Sequence, residues 1–149
     1  SAMVFDTRNA GAGQEDLDFS NEPFVKNALI LSEDGDSTNP NDNQYGGLFV
    51  FDFDEPITML SLVALDIEDT NRDGILLQND KGRIIQKVSI VGKGKNKKTH
   101  VDLLTTKDVS RMIIIMKSPG AIDNIRFVKS GCSDDENGDG VDGEDGEDG

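Results

Sequence analysis

The chain of 149 residues has one cysteine, Cys132, one histidine, His100, and no tryptophan. A lone cysteine forbids an internal disulfide and a cysteine-rich zinc site. A single histidine removes most triad and metal-hydrolase chemistry. No apolar run approaches the roughly 18 residues of a membrane span, and no signal-peptide pattern opens the chain, so membrane insertion is not expected. Residues 1–2 read as the remnant of an expression tag, which leaves export open. Positive charge is also scarce outside one stretch. Residues 1–80 carry 17 acidic and 3 basic side chains, 81–131 carry 3 and 12, and 132–149 carry 9 and none, for a net charge of -14. That balance, without interleaved aromatics in the basic part, excludes a nucleic-acid binder.

What is present is β patterning. Apolar or alternating runs at 27–32, 48–54, 57–67, 74–78, 83–91, 99–104, 111–116 and 121–128 are separated by Gly, Pro, Asn and Asp, and 3–6 adds a ninth. Helical spacing is absent. Eight or nine strands without intervening helices predict an all-β, two-sheet antiparallel jelly-roll sandwich over 3–131. The turns fall at Asp54-Glu55-Pro56, Asp73-Gly74, Asp80-Lys81-Gly82 and Ser118-Pro119-Gly120. Phe49, Phe51 and Phe53 alternate along one run and are expected in the core, as are Phe5 and Phe127. The Asp/Glu/Gly-rich segment 132–149 has too little apolar surface to offset its ordering entropy and reads as a disordered acidic linker.

Several motifs carry a resemblance. The run from Ala28 to Asn43, the pair Gly46-Gly47 followed by Phe49-Val-Phe-Asp-Phe, the opening Met3-Val-Phe-Asp-Thr, Leu65-Asp-Ile and the closing Ala121-Ile-Asp-Asn-Ile-Arg-Phe together resemble secreted bacterial β-sandwich modules of the kind found ahead of C-terminal sorting signals. The resemblance implies a galactose-binding-like jelly roll, exported to the cell surface or medium. It further implies a carbohydrate-binding module with bound calcium.

The acidic loops independently suggest a metal. Ca²⁺ takes six to eight oxygen ligands, which loops rich in Asp and Asn supply, and a divalent cation relieves the mutual repulsion of crowded carboxylates. Asp16 and Asp18 lie in one such loop, and Glu33, Asp34, Asp36 and Asp42 in another. Asp123 joins them as a candidate, because strict alternation places it on the apolar face with Ala121, Ile125 and Phe127. A hydrogen-bonded anchoring role is the alternative for Asp123, since a carboxylate there must be met by a partner. Segment 69–80 has EF-hand spacing, but its flanks read as strands, so a β-turn is expected there.

Lys93, Lys95, Lys97 and Lys98 crowd one connection, expected as a hairpin tip, and suit an acidic or sulfated polysaccharide or the chain's own acidic tail. A solvated turn is the bland alternative. Tyr45, at the end of the acidic loop, is the one candidate stacking residue for a sugar. No catalytic set assembles: His100 and Asp102 share a strand face, yet no framed nucleophile accompanies them. The expectation is a noncatalytic, calcium-stabilised, monomeric extracellular module that binds polysaccharide or glycoconjugate. The alternatives are a structural spacer and, behind it, a small glycan-active enzyme domain.

Overall fold

The computed structural model describes residues 2–6, 27–32, 45–68, 73–95 and 97–129. Seven strands follow in order: β1 (Ala2–Asp6), β2 (Asn27–Leu31), β3 (Gly47–Leu65), β4 (Gly74–Gln78), β5 (Ile84–Ser89), β6 (Lys98–Met116) and β7 (Ala121–Lys129). All pair antiparallel in one sheet of order β1-β2-β7-β3-β6-β4-β5. The all-β expectation is met; where eight or nine strands in two sheets were expected, the described residues form seven strands paired in one sheet. The difference has two causes. The runs at 48–54 and 57–67 fuse into β3, and those at 99–104 and 111–116 fuse into β6, each 19 residues long.

Both fusions are possible because the long strands absorb their irregularities together. Register between β3 and β6 is regular from Gly47↔Met116 to Asp52↔Arg111 and again from Ser61↔Asp102 to Leu65↔Lys98. Between those zones, three extra residues on β3 around Pro56 are offset by one and then two extra on β6, so the original register is restored. Pro56 cannot donate a ladder hydrogen bond and is accommodated in this offset. On β6 the excess is absorbed at Leu104, Thr105 and Asp108, which all adopt positive φ. The Asp102 carboxylate accepts a 2.8 Å bond from the Leu104 N–H, and the Thr106 hydroxyl donates to the Leu103 carbonyl at 2.8 Å, which closes the bulged backbone.

The sheet doubles over at this irregular zone. Residues 47–52 of β3 pair only with β6, which continues to β4 and β5, whereas 57–65 pair with both β6 and β7. A side chain at Gly120 would meet Leu65, the last residue of β3, and also Met116, the partner of its first. The two ends of a 19-residue strand thus return to one another. Phe49, Ile75, Leu77, Met112 and Ile114 from one arm share a single buried cluster with Met59, Leu62, Ala64, Val101, Leu103 and Ile122 from the other. The opposite face of the second arm is also buried at Ile30, Ala121 and Leu65, aligned across β2, β7 and β3. Phe49 is core, and Phe51 and Phe53 pack partly buried against it. The side chain of Phe5 lies outside the described set.

Candidate functional site

At the bend lies an open depression of about 410 Å³, lined by Asp52, Phe53, Asp54, Glu55, Ile57, Phe127 and Lys129. Its floor is apolar, with Ile57 buried beneath it. Phe53 and Phe127 form the wall, ring centroids 6.0 Å apart at a tilt of 44°. Phe127 was expected in the core but is 48% exposed. The ring lies opposite the buried Met59, on the core side of the sheet, but near the end of β7, and a bulge lies further back along the strand: register against β3 slips between Ser61↔Arg126 and Val63↔Asp123, with Asn124 at φ 51. One extra residue reverses the alternation, so Ile122 and Ile125 both face the main core.

Carboxylates crown the rim. Asp52 is held by its cross-strand partner Arg111, whose Nε lies 2.5 Å from Oδ1 and whose Nη2 lies 3.3 Å from Oδ2. This hydrogen bond, and the attraction of the two charges, raise the Arg111 pKa above its ordinary value. Asp54 and Glu55 are exposed, and among the described residues no hydrogen bond or ion pair engages either. Lys129 completes the rim as the one cation among the described residues that line it. The result is an aromatic surface edged by hydrogen-bond acceptors, suited to a ligand with both an apolar face and donor groups.

The bulge also moves Asp123. It remains beside Ala121 and opposite Val63, but it no longer shares a face with Ile125, and it is half-buried rather than enclosed. The other calcium candidates, Asp16, Asp18, Glu33, Asp34, Asp36 and Asp42, lie outside the described residues. Among the described residues no group of three or more His, Cys, Asp or Glu is arranged to hold a metal ion. Of the EF-hand-like segment, 73–80 is described: Gly74–Gln78 is strand β4, and the Asp73 carboxylate accepts hydrogen bonds from the Lys117 N–H and Ser118 hydroxyl.

The lysine-rich connection is not a hairpin, because β5 and β6 are separated by β4. It is instead stapled to the end of β3, where the Asp66 N–H donates to the Lys97 carbonyl and the Gly94 N–H to the Ile67 carbonyl, both at 3.0 Å. Gly92 makes this approach possible, since a Cβ there would lie 2.1 Å from the Ile67 carbonyl oxygen. Lys93, Lys95 and Lys97 are exposed and Lys98 is half-buried where β6 begins. Tyr45 is 79% exposed at the start of β3. Tyr45 and the lysines therefore sit where the ends of β3 converge, away from the bend. The five named ligand residues and the depression are different places on the fold.

The sequence missed Phe53, Asp54, Glu55 and Phe127 as a site. Asp54-Glu55-Pro56 was visible as an acidic turn, but its meeting with Phe127 depends on the pairing of Ile57–Met59 with a strand about 70 residues away. No protein-family model and no curated protein matches the chain. Among solved structures, it is similar to a mutant of the lectin binding domain of lectinolysin complexed with Lewis b, with a TM-score of 0.45 and 11% identity over 87% of this chain and 92% of that one.

Proposed function

We propose that the chain is a noncatalytic glycan-binding module of an exported protein, and that the Phe53–Phe127 depression is its binding surface. One observation carries this. Phe127 is 48% exposed near the end of β7, beside a second ring, Phe53, and three carboxylates. Leaving a phenyl ring half-exposed forfeits part of the burial energy of a large apolar side chain, about 1.5–3 kcal/mol in full. Stacking against the apolar face of a sugar recovers it, while the carboxylates accept hydroxyl hydrogen bonds. Catalysis is not part of the reading, because the depression is open and presents no framed nucleophile. A glycan array probed with the full chain tests it: selective signals support a binding module, and a blank array leaves a spacer domain.

Calcium and an extracellular setting belong to the same proposal. Support for the ion comes from the density of carboxylates and amides at 15–18 and 33–43. Support for export comes from the family resemblance of the strand motifs. The lysine-rich end favours a second, weaker contact with polyanions, since Lys93 and Lys97 are held exposed on an anchored backbone.

A further inference from the structure

The charge around the depression narrows what it takes. Asp52 is neutralised by Arg111, and Lys129 offsets one of the two remaining carboxylates, which leaves the rim net negative. Lys129 is also the last residue of β7, and the sequence that continues from it carries nine acidic side chains and no basic one. The screening length at physiological ionic strength is about 8 Å, so the field is strongest at low salt and fades as salt rises. A uronic or sulfated glycan is repelled here. A cation is attracted, and it meets two carboxylates that no described residue engages, beside two phenyl rings.

Resting on the glycan-binding reading above, we propose that this depression selects a cationic sugar, an oligosaccharide of 2-amino-2-deoxyhexose with its amines free. The sugar ring lies against Phe127, and the ammonium group is received by Asp54 and Glu55. The lysine-rich end, where polyanions belong, is a separate surface, so the protein presents opposite charge at its bend and at its converging strand ends.

Isothermal titration of the full chain with glucosamine tetramer, its N-acetylated counterpart and a glucose tetramer tests this. A pH of about 5.5 keeps the amines charged and stands above the ordinary carboxylate pKa values of about 4. The expected result is that glucosamine tetramer binds at least tenfold tighter than the other two at low salt, and that the gap closes as salt rises. The double variant Asp54→Asn/Glu55→Gln should remove the gap, so that within the variant glucosamine tetramer and its N-acetylated counterpart bind alike. Equal affinities in the native chain, or a preference that survives the double variant, would overturn the amino-sugar assignment while leaving glycan binding intact. Failure of all three tetramers to bind would instead overturn the glycan-binding reading. Oligolysine is the remaining arm: if it binds in an Asp54- and Glu55-dependent way and glucosamine tetramer does not, the ligand is a cationic peptide and the sugar assignment falls.

Discussion

The Asp73 carboxylate accepts a 2.6 Å hydrogen bond from the backbone N–H of Lys117, 44 residues further along the chain. Asp73 is 3% exposed, and its own carbonyl accepts from the Ile90 N–H at 3.0 Å. One residue thereby fastens the start of β4, the exit of β5 and the turn between β6 and β7. Because Lys117 and Ser118 lead into Gly120, the same clamp holds the place where the ends of β3 converge.

Asp73→Ala should destabilise the fold by about 1–3 kcal/mol, the range for stranding a buried hydrogen-bond donor. Asp73→Asn keeps one acceptor oxygen and should recover part of the loss. Urea unfolding checks both, with the midpoint falling and the slope unchanged. If Asp73→Ala unfolds like the native chain, the turn is fixed by other contacts.

Gly92→Ala places a Cβ 2.1 Å from the Ile67 carbonyl oxygen, so the backbone must move. A cost of about 1–3 kcal/mol is expected, as for overpacking elsewhere. Hydrogen exchange should show the Gly94 and Asp66 amides losing protection together, since their bonds staple the same two segments. Retained protection would mean that the staple tolerates the added methyl.

Much of the fold was legible in the residues, and the parts that were not share a cause. Alternation placed Phe49, Phe51 and Phe53 on the inward face because β3 is regular there. Pro56 read as a strand end because it lacks an N–H, yet it lies where β3 carries extra residues and is spared that bond. Periodicity assigned Phe127 to the core, and it does lie opposite the buried Met59, but alternation does not register that the ring sits near the end of β7, where it is 48% exposed beside Phe53. The candidate site depends on the pairing of Ile57–Met59 with Phe127–Lys129, which joins strands distant in sequence. The lysines crowd one connection in the sequence, but that it is anchored to Ile67 rather than forming a hairpin required knowing that β4 intervenes between β5 and β6.

Calcium should raise the melting temperature, because an ion that binds only the folded state stabilises it by mass action, about 2.7 kcal/mol at one hundred times its Kd. Melts in calcium and in EDTA should separate by several degrees. Superimposable melts, with no calcium in elemental analysis, would remove the ion from the account.

Replacing Lys93, Lys95, Lys97 and Lys98 with Ser should abolish salt-sensitive binding of sulfated polysaccharide and change stability by less than about 0.5 kcal/mol for each exposed position. The comparison belongs in a chain lacking 132–149, so that those nine acidic residues cannot compete with the polyanion. Unaltered polyanion affinity would reduce the connection to a solvated, anchored loop.

The most direct test titrates the native chain and Phe127→Ala with neutral hexose and N-acetylhexosamine tetrasaccharides. The ring is half-exposed, so its removal should cost little stability beyond its contact with Phe53, about 0.5–1.5 kcal/mol. The account predicts saturable binding to at least one tetrasaccharide and a loss of tenfold or more in Phe127→Ala, with unfolding still cooperative. Undiminished binding in Phe127→Ala would contradict it, since the ligand would then occupy some surface other than the bend.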